Sequence, residues 1–228
     1  MKNIPFELNF DTLLSRLHLE KDSKYTKEVQ HLAEAVEPII APKAVYEVSY
    51  IQDRGYDTVN IGGVTFTSRV LRVNLDKVER VFPYIATCGK EIDEVAVPPD
   101  DFLRRFFLDT IKEMALGVSV GYLNNYLKTK YALGKTSRMA PGAGAEDVWP
   151  IEQQKQLFSI FGNTEDLIGV KLTDSGLMVP TKSVSGISFP TEIPFESCQL
   201  CPREKCPGRR APYDKNLLET RYKSQDTG

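Results

Sequence analysis

The sequence lacks three features that define common classes of protein. It has no apolar run of the roughly 18 to 20 residues that a membrane span requires, and its first residues lack the apolar stretch of a signal peptide. It also lacks a basic excess, since 29 Lys and Arg stand against 31 Asp and Glu and the net charge is −2. These absences argue against a membrane span and make nucleic acid a poor partner. We therefore expect a soluble, cytoplasmic protein.

Histidine and cysteine are also scarce. The two histidines, His18 and His31, fall in segments with helical spacing, and no acid–base triad is evident. Three of the four cysteines lie between residues 198 and 206, while Cys88 stands apart. In a reducing compartment this distribution indicates a metal or redox site more than a disulfide framework.

The spacing of the three clustered cysteines is that of a chelating loop. Two residues separate Cys198 from Cys201, and four separate Cys201 from Cys206. Three thiolates leave one ligand position open, which Cys88 would fill if the fold brought it alongside the loop. A four-thiolate zinc ion, an iron-sulfur cluster and a set of reduced structural or redox thiols are the alternatives.

The spacing of apolar residues predicts a mixed fold, with helices at intervals of three and four and strands where apolar residues alternate. The predicted helices cover 10–18, 26–40, 75–81, 101–131 and 150–162. The predicted strands cover 44–51, 58–66, 82–87, 167–172 and 177–189. Because the strands cluster early and late around the helices, the pattern favours an α+β domain over a doubly wound fold.

Residues 134–144 are rich in Gly, Ala, Pro and Ser, which predicts a loop between two helices. Within it, Arg138 offers a bidentate fork for a carboxylate. Ala140 and Gly142 leave main-chain groups uncovered, and Pro141 fixes the turn. The loop is either a ligand cradle or an ordinary connection with a surface arginine.

Small polar residues mark the last predicted strand. Ser183 and Ser185 alternate and therefore face the same side, and Gly186 follows them. Hydroxyl groups in this arrangement either satisfy nearby backbone groups or contact a planar ligand without steric bulk. The residues by themselves leave both interpretations open.

Together these segments resemble the activation, or reactivation, domain of cobalamin-dependent methionine synthase. Residues 138–143, Arg-Met-Ala-Pro-Gly-Ala, are similar to its Arg-Pro-Ala-Pro-Gly-Tyr segment, with Met139 and Ala143 as departures. Residues 172–175 and 183–186 resemble its Leu-Thr-Glu-Ser and Ser-Val-Ser-Gly elements. The resemblance covers about residues 40–190. The predicted organisation is an N-terminal helical segment 1–40, an activation-domain-like core 41–190 and a Cys-rich irregular tail 191–228.

The resemblance implies a fold, a ligand and a partner. The implied fold is a twisted antiparallel sheet packed with helices. The implied ligand is S-adenosylmethionine, and the residues expected to bind it are Arg138, Ala140, Pro141, Gly142, Ser183, Ser185 and Gly186. The implied partner is a cobalamin-bearing methyltransferase or other corrinoid protein, whose cob(II)alamin is remethylated. The electron for this step would come from flavodoxin or ferredoxin, or from the cysteine site, which lies outside the resemblance. The alternative is a metal-containing or iron-sulfur redox or scaffold module that has kept the fold and lost the ligand.

Overall fold

The computed structural model describes residue 1, residues 4–145 and residues 148–223. Its helices are α1 (Phe10–Arg16), α2 (Thr26–Val36), α3 (Arg69–Asn74), α4 (Phe102–Tyr131), α5 (Gln154–Ser159) and α6 (Thr164–Ile168). Its strands are β1 (Lys43–Tyr46), β2 (Ser49–Arg54), β3 (Thr58–Ile61), β4 (Val64–Thr67), β5 (Arg80–Thr87), β6 (Thr136–Met139), β7 (Lys171–Leu172), β8 (Met178–Val179) and β9 (Ser183–Pro190). Among the residues described, no helix combines the length and hydropathy needed to cross a bilayer.

Within the described residues, seven strands form one sheet in the order β4-β3-β2-β5-β9-β6, and β1 also pairs with β5. The pairs β2–β3, β3–β4, β2–β5 and β6–β9 are all antiparallel. Strands β7 and β8 form a separate antiparallel pair. The predicted α+β class, an antiparallel sheet packed with helices, is confirmed.

Two compact units divide the chain, and each is assembled from three separate stretches. The first consists of Met1–Val45, Ile85–Leu127 and Asn163–Val184. The second consists of Tyr46–Tyr84, Lys128–Gly162 and Ser185–Gly228. The predicted division at residues 40 and 190 concerns consecutive segments of the chain and stays a prediction.

Helices account for most of the core of the first unit. The side-chain amide oxygen of Asn9 caps α1 by accepting a hydrogen bond from Thr12 N at 2.8 Å. In α2 the predicted apolar stripe is buried, and it packs with Leu13 of α1 and with Ile111 of α4. A 3₁₀ turn, Glu37–Ile39, replaces the last predicted turn of α2.

The core of the second unit lies on one face of the sheet. Trp149 is fully buried there and meets the Phe66 ring edge-on at a centroid distance of 5.5 Å. The tail also enters this core, since Phe195 and Tyr222 are buried with their rings 5.9 Å apart. Burying such side chains contributes about 1.5 to 3 kcal/mol each. The tail, which has little regular structure, is therefore an integral part of the second unit.

Three predicted elements were wrong, each for a local reason. Residues 136–139 were expected in a loop but form β6, because a four-residue strand with two hydroxyl side chains gives little alternation signal. Residues 167 and 168 were expected to begin a strand but end α6, which Asn163 caps and Gly169 ends in the left-handed conformation, at φ 74°. The short helix expected at 75–81 occurs earlier, at α3, where Ser68 caps it.

Candidate functional site

The candidate site begins at strand β6, on the edge of the sheet. Alternation along this strand buries Ser137 and Met139 and turns the half-buried Arg138 to the opposite face. Strand β9 fixes its position, since Arg138 pairs with Ser188 and Met139 pairs with Ile187. The guanidinium therefore emerges from a paired strand and not from a free loop.

A residue that the sequence did not reveal, Tyr84, holds this guanidinium. Tyr84 lies on β5, is 6% exposed, and its phenol oxygen accepts a hydrogen bond from Arg138. Burial raises the pKa of Tyr84, although the positive charges of Arg138 and Arg210 oppose the shift. The phenol is thus neutral at physiological pH, so it orients Arg138 without cancelling its charge.

Gly186, a predicted ligand-binding residue, makes room for this contact. A Cβ at residue 186 would lie 2.6 Å from the carbonyl oxygen of Met139 and 3.2 Å from the phenol oxygen of Tyr84. Both distances are too short for an ordinary contact, so the glycine allows β9 to approach β6 and leaves space for the phenol. The structure thereby places Gly186 beside the Arg138 and Tyr84 pair.

The loop after β6 forms the turn that the sequence indicated. Ala143 N donates to the carbonyl of Ala140 at 3.2 Å, and Gly142 N donates to the carbonyl of Trp149 at 2.8 Å. Gly142 has a φ of 75°, and a Cβ there would lie 2.6 Å from Cδ1 of Ile151. The amide of Gly142 is therefore engaged within the protein, while Ala140 remains half-buried beside Arg138.

The C-terminal tail runs along the same loop. The backbone amide of Phe195 donates to the hydroxyl of Ser137 at 2.7 Å, and a Cβ at Gly144 would lie 3.0 Å from the carbonyl oxygen of Ser197. The charges of Glu196 and Arg210, like that of Arg138, act on the phenol of Tyr84. Glu196 is paired with Arg210, whose Nε lies 2.9 Å from a carboxylate oxygen.

The predicted serines have different surroundings. Ser183 belongs to the first unit, where its buried hydroxyl donates to the hydroxyl of Thr87 at 2.9 Å. Ser185 belongs to the second unit and is also buried. In the turn between β7 and β8, the hydroxyls of Thr173 and Ser175 lie 2.9 Å apart. Of the residues predicted to bind a ligand, the second unit contains Arg138, residues 140–142, Ser185 and Gly186, and Gly186 lies against the tyrosine that holds Arg138.

The cysteines do not assemble as the sequence predicted. Among the described residues, no group of three or more His, Cys, Asp or Glu side chains is arranged to hold a metal ion. Cys88 lies in the first unit, and burial raises the pKa of its thiol to about 11, which keeps it protonated. Cys198, Cys201 and Cys206 are free and partly exposed. The predicted zinc or iron-sulfur site therefore has no support from the geometry.

An arginine organises the cysteine loop instead. The guanidinium of Arg209 donates to the carbonyl oxygens of Cys198 at 3.1 Å and Cys201 at 3.2 Å, and also to the carbonyl of Arg203. A charged donor shared by several carbonyls fixes the path of the main chain. The loop is therefore shaped by its backbone and not by its thiols.

These features define an α+β domain with a tyrosine-held arginine on an edge strand. Residues 123–194 match the family model of the vitamin B12 dependent methionine synthase activation domain. A crystal structure of the MetH reactivation domain bound to AdoHcy is similar, with a TM-score of 0.52 and 18% identity over 81% of this chain and 77% of that chain. No curated protein matches this chain. The family match therefore includes the Arg138 loop and the 183–186 segment that carry the predicted resemblance, and the similar structure supports the same fold.

Proposed function

We propose that this chain binds S-adenosylmethionine at Arg138 and residues 140–142 and supports reductive methylation of cob(II)alamin on a partner corrinoid methyltransferase. One observation carries the proposal. The half-buried guanidinium of Arg138 lies inside the segment that matches the activation domain family, and the buried phenol of Tyr84 holds it. The similar MetH reactivation domain was crystallised with AdoHcy, the compound left when S-adenosylmethionine gives up its methyl group.

The chemistry of Arg138 suits the amino acid end of this ligand. A guanidinium can form two parallel hydrogen bonds to an α-carboxylate, and both are strengthened by charge. A neutral tyrosine partner leaves the positive charge available, whereas a carboxylate in that position would neutralise it. Ala140 and Gly142 are small and at least partly exposed, so they allow the nucleoside to approach the main chain closely.

The reaction requires little from the protein beyond positioning. The sulfonium carries its own leaving group, so the methyl group can leave as a cation equivalent and a neutral thioether remains. One electron from an external flavodoxin or ferredoxin balances the transfer to cob(II)alamin. The protein supplies proximity and orientation, and no residue of the site has to move a proton.

Calorimetric titration with S-adenosylmethionine tests the proposal. The wild-type chain should bind it, and Arg138→Ala should weaken binding by about 10- to 100-fold because a charge-assisted contact is lost. Arg16→Ala is the matched control, since Arg16 makes a 3.8 Å ion pair with Glu113 in the first unit. A wild-type chain that gives no binding heat would refute the proposal.

The methylation step needs its own assay. Addition of the chain, S-adenosylmethionine and reduced flavodoxin to a cob(II)alamin-bearing methyltransferase should restore the visible spectrum of the methylated cofactor. Arg138→Ala should restore it more slowly at subsaturating ligand. If the wild-type chain binds the ligand but never accelerates recovery, only the corrinoid part of the proposal fails.

A further inference from the structure

Two charged residues of the tail lie at the candidate site but outside the segment that matches the family. Glu196 and Arg210 follow the matched residues 123–194. The hydrogen bond from Phe195 N to the hydroxyl of Ser137, at 2.7 Å, joins the residue before Glu196 to the residue before Arg138. The charges of Arg138, Arg210 and Glu196 all act on the phenol of Tyr84, so the tail supplies a carboxylate and a second guanidinium around the same tyrosine.

Both residues are held in place by their neighbours. Glu196 starts the 3₁₀ turn Ser197–Leu200, and Gln199 completes a reciprocal capping box with it. Arg210 directly follows Arg209, whose guanidinium is bonded to the carbonyls of the cysteine loop. In the capping box the carboxylate of Glu196 accepts from the backbone amide of Gln199, and because a carboxylate has two oxygens it can keep this cap while it exchanges Arg210 for a ligand group. The main chain around both residues is thus held in place, which lowers the cost of binding.

The ion pair between them is easily opened. Its N–O distance is 2.9 Å, but the side chain of Arg210 is 54% exposed and that of Glu196 is 39% exposed. Water screens a pair with this exposure, so each group can exchange its partner at little cost. An α-amino acid group, with one ammonium and one carboxylate, offers a replacement partner to each of them.

We propose that Glu196 and Arg210 are specificity-determining residues for the amino acid end of the ligand. In the free protein they bond to each other. In the complex the carboxylate of Glu196 accepts from the α-ammonium, and Arg210 joins Arg138 on the α-carboxylate. This inference rests on the proposed function, and it predicts that the tail distinguishes S-adenosylmethionine from adenosine thioethers that lack the amino acid.

Titration with two ligands tests the inference. S-adenosylmethionine has the amino acid group, whereas 5′-methylthioadenosine lacks it. Arg210→Gln and Glu196→Gln should each raise the dissociation constant for S-adenosylmethionine by about 5- to 20-fold, a range that allows for solvent screening. Neither change should alter the affinity for 5′-methylthioadenosine by more than about twofold.

The controls remove an ion pair elsewhere. Lys21 and Asp11 are exposed and paired at 2.7 Å in the first unit, so Lys21→Gln and Asp11→Asn match the changes in charge. They should leave the affinity for both ligands unchanged. Thermal melting of each variant identifies any loss of folding.

The outcomes separate the two proposals. If the wild-type chain binds S-adenosylmethionine and both tail variants bind it equally well, the tail inference is overturned and the proposed function stands. If both variants lose affinity for both ligands, the tail shapes the pocket but does not bind the amino acid group of the ligand, which also overturns the inference. If the wild-type chain does not bind S-adenosylmethionine, both proposals fall together.

Discussion

Replacement of Gly186 by alanine tests the packing on which the Arg138 site depends. The new Cβ would lie 2.6 Å from the carbonyl oxygen of Met139, which is backbone and cannot rotate away. It would also lie 3.2 Å from the phenol oxygen of Tyr84. Either β9 moves away from β6, or Tyr84 leaves the position from which it holds Arg138.

The expected magnitude follows from overpacking. Inserting one methyl group where a backbone atom blocks it costs about 1 to 3 kcal/mol of unfolding free energy. Displacement of Tyr84 should also weaken S-adenosylmethionine binding, because Arg138 would lose its orientation. Urea denaturation measures the first effect, and calorimetric titration of the folded variant measures the second.

Gly117 provides a control of opposite sign. It lies within α4, and a Cβ there would meet nothing within 4 Å beyond the backbone of the helix itself. Gly117→Ala should therefore stabilise the protein by about 0.5 to 1 kcal/mol, because alanine is the better helix former. If Gly186→Ala instead leaves the unfolding free energy within about 0.5 kcal/mol of wild type, then the close approach of β9 to β6 does not require a glycine at position 186.

Two further changes probe the buried groups. Tyr84→Phe keeps the ring and removes the hydroxyl, so it should lower the unfolding free energy by about 0.5 to 1.5 kcal/mol and weaken S-adenosylmethionine binding, both measurable by urea denaturation and titration. Unchanged affinity would mean that Arg138 needs no help from the phenol. Burial raises the pKa of Cys88 from 9.0 to about 11, so the unfolded chain loses this proton first. Its contribution to stability is complete below pH 9 and declines as the pH rises toward 11, and Cys88→Ala should flatten this decline in urea melts at several pH values. If the stability of wild type and of Cys88→Ala declined equally between pH 9 and 11, the raised pKa of Cys88 would not be the cause.

The sequence was informative where chemistry is local. The segment around Arg138 could be recognised from consecutive residues, and the long helix α4 was evident from its spacing. Tyr84 could not be found in this way, because a tyrosine in an apolar strand is usually a core residue. Its partner Arg138 is 54 positions further along the chain, a separation that spacing rules do not span.

Two features of the tail could not be predicted from the sequence, for physical reasons. Its many prolines suppress periodicity, so nothing marked Phe195 and Tyr222 as core residues. Its cysteine spacing suggested chelation, whereas the guanidinium of Arg209 shapes that loop through main-chain carbonyls. A pattern of cysteines describes which ligands are available but not the direction in which the thiols point.

The interleaving of the two compact units affects how the chain folds during synthesis. The first unit requires residues up to Val184, and the second also requires the stretch from Ser185 onward. Neither unit can fold completely from an early part of the polypeptide. The apolar faces of α1 and α2 therefore stay exposed until the later stretches of the first unit have been synthesised. Contacts between such distant stretches slow folding and lengthen the time during which unfinished surfaces are exposed.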